Sequence, residues 1–174
     1  MGVLVPTVLA ALFMAAIFYF AVVRKSGLMK GLKKNDAVLV FQAIQSWPLP
    51  DLLRRWVFSK LVSFASPYSG SVRPTFLDLG YTHAAISIKQ HRAIQNPFAS
   101  IHLAALLNLG EMTAVLPTTA ALAKAGRRGI PTGCKGEFLK KARGVITAVI
   151  EDIKIPEDAT EYVPEVQLKD EKGD

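Results

Sequence analysis

Apolar and polar residues fall in distinct blocks along the chain, and the first block is an uncharged apolar run at residues 3–23. About 20 such residues, as a helix, span the hydrocarbon core of a bilayer. A cleaved signal peptide is the alternative, but its basic residues would precede the apolar run. Here they follow it, as Arg24, Lys25, Lys30, Lys33 and Lys34. Residues 1–25 are therefore predicted to be a single-pass anchor, with the body of the protein facing the cytosol.

The next block, residues 26–66, has the spacing of a linker followed by amphipathic helices. Asn35 or Asp36 is placed to cap the first helix, and a Trp-Pro-Leu-Pro segment separates it from a second that starts at Asp51. This second helix mixes bases and aromatic residues, namely Arg54, Arg55, Trp56, Phe58 and Lys60. Two interpretations stay open: the helix lies on a membrane surface, or it packs on the domain with its bases in water.

The pattern then changes to strands surrounding one long apolar helix. Alternation predicts strands at 71–80 and 81–94 with a tight hairpin at Gly80-Tyr81, and further strands at 130–141, 145–153 and 161–169. Residues 96–116 predict a helix that is apolar nearly all round, which is typical of a helix buried in a core. The order indicates an α+β domain with an antiparallel sheet packed on one central helix.

Two polar residues on this helix are candidates for chemistry. His102 stands at its entrance and Glu111 within it. An apolar environment disfavours an ionised carboxylate and would make Glu111 a base suited to neutral pH. The alternatives are that Glu111 pairs with a base such as Arg73 or Arg92, and that His102 only caps the helix. Nine helical residues turn through about 900°, so His102 and Glu111 face opposite ways.

The spacing of Asn96, His102 and Glu111 resembles that of hotdog-fold thioesterases of the phenylacetyl-CoA type and of the related domain of unknown function 4442. In that superfamily an Asn precedes the central helix, a His-Gly-Gly starts it, and an Asp or Glu lies two turns further in. The resemblance covers roughly residues 65–169. Within it, residues 65–72 are similar to the entry to the first strand, and residues 136–144 are similar to the third strand.

The resemblance implies hydrolysis of acyl-CoA thioesters. Glu111 would be the base or nucleophile, and the backbone N–H of Leu103 would polarise the thioester carbonyl with support from Asn96 and His102. Because the sites of the superfamily form across a two-fold dimer interface, Glu111 would come from the other subunit of a homodimer or a dimer of dimers. Asn108, one turn before Glu111, would orient it. Neither a metal nor a cofactor is expected.

Two departures from the superfamily pattern favour a different function. Leu103 and Ala104 replace the Gly-Gly pair, and no closing strand rich in Val, Thr and Ala precedes the charged tail at 170–174. The sheet would then be one strand short and would have an exposed edge. These departures suit a non-catalytic hotdog protein that binds acyl chains or serves as a membrane-tethered scaffold. An acyl-carrier dehydratase is a weaker alternative. Its histidine base lies on the central helix, where this chain has no histidine beyond His102 at the start.

Charge is distributed unevenly over the 174 residues. From residue 151 onward nine acids and three bases give −6, so the remainder carries +13 of a total of +7. Such a basic body suits phosphate-bearing partners, either CoA or anionic lipid. Nucleic acid would explain neither the anchor nor the carboxylate. The candidates for contact with CoA phosphates, or alternatively for a solvated rim, are Arg127, Arg128, Lys135, Lys140, Lys141 and Arg143.

The single Cys134 excludes an intramolecular disulfide and fits a reducing compartment. The domain is expected at residues 67–169.

Overall fold

The structure, a computed structural model, describes Thr7, Ala10, Phe13, Met14 and residues 17–173, with the side chains of Tyr19 and Ala21 excepted. The predicted membrane anchor therefore lies largely outside the described residues. The last part of its apolar run forms a π-helical turn at Tyr19–Val23. In the part of the chain that is described, no helix has the length and apolarity needed to cross a bilayer.

Four helices follow, and they confirm the two amphipathic helices and the break between them. They are α1 (Leu28–Lys34), α2 (Ala37–Gln45), α3 (Asp51–Ala65) and the single turn α4 (Pro67–Gly70). Asp36 rather than Asn35 caps α2, because its Oδ1 accepts a hydrogen bond of 3.0 Å from the N–H of Leu39. Asn35 instead ends α1 in the left-handed conformation, with φ of 52°.

An antiparallel sheet of four strands in the order β1-β2-β3-β4 forms one layer of the described domain. The strands are β1 (Thr75–Leu79), β2 (Ala84–Lys89), β3 (Val145–Ile150) and β4 (Gln167–Lys169). The alternation predicted for β2 is confirmed, since Ala84, Ile86 and Ile88 are all buried. β1 and β2 form the predicted hairpin, in which the N–H of Gly80 donates to the carbonyl of His83.

The long helix α5 (Leu103–Lys124) packs across β2 and β3. It begins directly after His102, the residue expected at its entrance, and it continues beyond the predicted end at 116 through Pro117 to Lys124. Leu106, Leu109 and Met112 bury one of its faces. The expectation that the helix is buried all round is wrong, because Glu111 on the opposite face is exposed and Leu103 at the start of the helix is 52% exposed.

Three aromatic side chains join the helices to the sheet. The ring of Phe58 on α3 lies edge-on to Phe41 of α2 and to Phe76 of β1, with ring centroids 5.0 and 4.9 Å apart. Edge-to-face pairs at this separation are favourable beyond the apolar area that they bury. The inner face of α3 is therefore fixed to the core, and its outer face points away from it.

The strand predicted at 130–141, which includes most of the segment resembling a third strand, is absent from the described structure. Residues 127–141 are irregular and almost entirely exposed. The segment is held to the body at its end, where the N–H of Ile101 donates to Ala142 and that of Gln90 to Gly144. It contains several glycines and a proline, and it pairs with no strand of the described residues, so no ladder of hydrogen bonds compensates the ordering of an extended strand. The predicted strand at 161–169 is likewise shortened to the three residues of β4.

Asp36 also ties the helices to the β1–β2 turn, and this link gives a test of the fold. The phenol of Tyr81 donates to Oδ2 of Asp36 at 3.0 Å. Burial, and then the hydrogen bond and charge of Asp36, raise the pKa of Tyr81 above its ordinary value. We expect Tyr81→Phe to lower the free energy of unfolding by about 1 kcal/mol at neutral pH.

The pH dependence follows from the direction of that shift. A raised pKa in the folded state means that the contribution is complete below about pH 10, the ordinary pKa of tyrosine, and is lost as the pH rises through the raised value. Denaturant unfolding of both proteins at neutral and alkaline pH should show the difference shrinking at high pH. A difference that stays constant into the alkaline range would contradict this assignment.

Candidate functional site

A small cavity of about 160 Å³ lies at the N-terminal end of α5. α4 and the residues after it form one wall, the segment before α5 forms another, and the first turns of α5 form the third. The lining residues used below are Tyr68, Ser71, Val72, Ile94, His102 and Asn108. The cavity therefore lies where the positive end of the helix dipole meets two loops.

His102 is the N-cap of α5. Its Nδ1 accepts a hydrogen bond of 3.1 Å from the N–H of Ala104, and the backbone N–H of His102 donates to the carbonyl of Ile94 at 2.8 Å. The capping interpretation is thus confirmed. Because Nδ1 accepts, the neutral ring carries its proton on Nε2, so the exposed side of the imidazole is a donor.

The backbone N–H of Leu103 has no acceptor among the described residues. The first N–H groups of a helix lack partners within the helix, and here the cap satisfies Ala104 instead. The Leu103 side chain is half exposed. A free, outward N–H at a helix N-terminus is a ready donor to a developing negative charge.

Asn96 shapes the loop that leads into the helix. Its Oδ1 accepts hydrogen bonds from the N–H of Phe98 at 2.9 Å and from the N–H and hydroxyl of Ser100 at 3.2 and 3.1 Å. This network lets Ala99 adopt the left-handed conformation, with φ of 53°. Within one chain Asn96 therefore acts on the position of His102 through the backbone.

Asn108 is 4% exposed and lines the cavity. Its Nδ2 donates to the carbonyl of Tyr68 at 3.2 Å, while its Oδ1 is buried without a hydrogen-bond partner. Among the described residues the side chain of Asn108 therefore bonds to α4 and not to Glu111. A buried amide oxygen without a donor costs about 1–3 kcal/mol, so a ligand or water that donates to it would be favoured. The sequence pattern did not identify Tyr68 as a site residue, because its contact with Asn108 is apparent only in the folded chain.

Glu111 is exposed and lies outside the cavity. No base of the described chain lies within 4 Å of it, so the alternative that it pairs with Arg73 or Arg92 is wrong for the single chain. The expected apolar environment is also absent, because the carboxylate faces solvent. His102 and Glu111 lie on different sides of α5, as the 900° rotation predicts.

The basic residues proposed for CoA do not form one cluster. Arg127 donates to the carbonyls of Pro156 and Ala159, and it lies with Arg128 just beyond the far end of α5. A 22-residue helix is about 33 Å long, so these two residues are remote from His102. Lys140 pairs with Asp170 at 2.9 Å.

Two of the bases do lie beside the entrance to α5. The ammonium of Lys141 is 5.9 Å from the centre of the Phe98 ring, and the guanidinium of Arg143 is 3.5 Å from the Phe98 carbonyl. Phe98 belongs to the loop that Asn96 shapes. Lys141 and Arg143 are therefore the bases placed to meet a phosphate near the cavity.

The family model of a domain of unknown function, DUF4442, matches residues 54–174, which is well over half of the chain. This chain is a member of the DUF4442 family. No curated protein shows significant sequence similarity to it. The solved structures similar to this DUF4442 protein include thioesterases. The α+β architecture described above is the hotdog fold.

Three of these structures illustrate the likeness. A crystal structure named genomics APC5556 has 29% identity, covers 74% of this chain and 92% of its own, and gives a TM-score of 0.58. A probable thioesterase from Pseudomonas aeruginosa, PA5026, has 21% identity over 73% and 89% of the two chains, with a TM-score of 0.53. Thioesterase HI1161 from Haemophilus influenzae has 14% identity over 72% and 83%, with a TM-score of 0.54.

The contrast between His102 and Glu111 gives a prediction about stability. Glu111→Gln should change the free energy of unfolding by less than about 0.5 kcal/mol, because the carboxylate is exposed and unpaired in the chain. His102→Ala removes the N-cap and should cost about 1 kcal/mol. Chemical denaturation of both variants measures this, and a Glu111→Gln protein that is the less stable of the two would indicate a structural role for Glu111.

Proposed function

We propose that this DUF4442 protein hydrolyses acyl-CoA thioesters as a homodimer attached to a membrane. The observation that carries the proposal is a pair of groups on α5 without a partner in the described part of the chain: the N–H of Leu103 beside the cavity and the carboxylate of Glu111 on the other side of the helix. The first is an oxyanion donor and the second is a base. Thioester hydrolysis needs both.

In the proposed reaction the thioester carbonyl lies at the mouth of the cavity. The N–H of Leu103 and the helix dipole stabilise the negative charge that forms on the carbonyl oxygen when water adds. Nε2–H of His102 and the amide of Asn108 hold the substrate. The carboxylate of Glu111 from the other subunit takes a proton from the attacking water. The carbon–sulfur bond then breaks, the carboxylic acid is released, and Glu111 gives its proton to the departing CoA thiolate.

The homodimer is needed because one chain does not place Glu111 at its own cavity. The loop before α5, the start of the helix and the irregular segment after it expose apolar side chains, namely Phe98, Leu103, Ile130, Phe138 and Leu139. Exposed apolar residues that gather on one side of a small domain favour association with another protein. A two-fold axis beside α5 would cover them and bring the partner's Glu111 toward the cavity.

The membrane attachment rests on the apolar run at 3–23 and the five bases directly after it. With that charge bias the body faces the cytosol. An anchor would concentrate the protein where long-chain acyl-CoA partitions. Lys141 and Arg143 are the bases proposed to meet the phosphates of CoA.

A non-catalytic acyl-binding protein is the second candidate, and the half-exposed Leu103 side chain favours it. Leu103 stands where thioesterases of the superfamily have glycine, so its side chain narrows the approach to the N–H beneath it. An acyl chain could then occupy the cavity without reaching the geometry needed for attack.

Hydrolysis of a panel of acyl-CoA thioesters by the full chain in detergent separates the two candidates. We expect Glu111→Gln to reduce kcat by about 10²-fold or more, which is the size of a general-base contribution. The matched control is Glu161→Gln, which removes an exposed carboxylate outside α5 and outside the cavity and should leave the rate unchanged. Equal rates for both variants and the wild type would favour the binding protein.

Mixing two inactive variants tests the shared site. Subunits with His102→Ala and subunits with Glu111→Gln should form mixed dimers in which one of the two sites keeps both residues. Random exchange of subunits should then restore about a quarter of the wild-type activity. Mixtures that stay as inactive as the separate variants would show that the two residues do not act across an interface.

A further inference from the structure

The outer face of α3 is apolar although it lies on the surface. Leu52, Trp56 and Phe64 are 81%, 57% and 86% exposed. They follow one another at multiples of four residues, so they lie along one side of the helix. The opposite side, with Phe58 and Ser59, is buried against the core. A surface helix normally has the reverse pattern, with polar residues outward.

The stretch of chain that contains this face is strongly basic. Residues 24–66 contain eight bases and two acids. Asp36 is buried and capped into α2, and Asp51 pairs with Arg55 at 2.8 Å and with Arg54 at 3.5 Å. Lys60 lies within the apolar row itself, with its ammonium 6.0 Å from the Trp56 ring. The surface is therefore apolar with a basic border, which complements an anionic lipid surface.

The N-terminal apolar run reaches the body at the start of this same helix. The Phe18 ring lies edge-on to Trp47 with centroids 5.5 Å apart, and Val22 and Val23 pack on the core nearby. Trp47 is four residues before Asp51, the first residue of α3. Any membrane that receives the N-terminal run is thus close to the beginning of α3.

The cavity is close to the other end of α3. α4 follows α3 directly, and a Cβ on its Gly70 would come within 2.8 Å of the backbone of Ser63. Tyr68 of α4 is 70% exposed and also lines the cavity, where its carbonyl accepts from Asn108. The apolar row and the cavity wall are consecutive parts of one surface.

We infer that the outer face of α3 docks on an anionic lipid bilayer and holds the cavity beside the lipid surface. The inference rests on the membrane attachment proposed above and adds the orientation of the domain. Leu52, Trp56 and Phe64 enter the headgroup region, while Arg55 and Lys60 meet lipid phosphates. Two copies meeting through this face would bring like charges together, so the face does not suit self-association.

Fluorescent labels on the full chain test the orientation. Cys134 is exchanged for Ser, and single cysteines are placed by Phe64→Cys and, in a second protein, Leu52→Cys. The matched control is Val163→Cys, a position 79% exposed in the acidic C-terminal part. Each protein, labelled with a polarity-sensitive dye, is reconstituted in vesicles of phosphatidylcholine and phosphatidylglycerol with nitroxide-labelled lipid.

We expect emission at positions 52 and 64 to shift to the blue and to be quenched about twofold or more by the nitroxide lipid, and emission at 163 to stay aqueous. Arg55→Gln with Lys60→Gln, or added salt, should weaken the quenching. Flotation of the vesicles runs in parallel and reports whether the protein is attached at all.

Three results would overturn the inference. If the protein floats with the vesicles while all labels remain aqueous, the membrane attachment stands and the docking of the α3 face is wrong. If the protein does not float, both the membrane attachment and the docking of the α3 face are wrong. A blue shift that rises with the protein-to-lipid ratio and persists without quenching by nitroxide lipid means that a second copy covers the face. Hydrolysis of acyl-CoA in detergent is independent of all three results, so the catalytic proposal stands or fails separately.

Discussion

The packing of α5 against the sheet is the constraint on which the rest of the structure depends. Leu106, Leu109 and Met112 bury one face of the helix against β2 and β3. A helix turns by about 100° per residue, so this burial determines which residues are left outside. Glu111 is left on the open side of α5, and the N-terminus of the helix, with the N–H of Leu103, lies beside the cavity and α4. The cavity, the free N–H of Leu103 and the exposed carboxylate are consequences of that single contact.

Local patterns predicted much of this fold from the sequence. The period of apolar residues identified α2, α3 and β2, because each buries one face and alternates accordingly. The same approach was wrong for residues 130–141, where extended structure depends on a neighbouring sheet edge that a periodic pattern does not reveal. It was also wrong about the burial of Glu111. A helix with almost no polar residues gives no indication of which face the sheet will cover, and tertiary packing alone decides this.

The candidate site was predictable where its residues are close in sequence. The cap formed by His102 and the turn formed by Asn96 are local hydrogen-bonding motifs, and their types at those positions suggest them. The contact between Asn108 and Tyr68 joins residues 40 positions apart and follows only from the packing of α4 on α5. The prediction that the basic residues form one CoA-binding group was wrong for the same reason. Arg127 lies beyond the end of α5, whereas Lys141 and Arg143 return to its beginning.

The groups left unsatisfied in the single chain indicate what the protein needs from outside it. Among residues 17–173 the N–H of Leu103 finds no acceptor and Oδ1 of Asn108 finds no donor, so a ligand with both kinds of group fits the cavity better than an apolar chain alone. A thioester supplies an acceptor at its carbonyl, and a water or an amide N–H of the CoA arm supplies a donor. Glu111 has neither partner nor burial, and a second subunit would give it both. In the proposed dimer, ligand and partner subunit would complete the same helix from its two sides, and the packing of the core would reveal neither requirement.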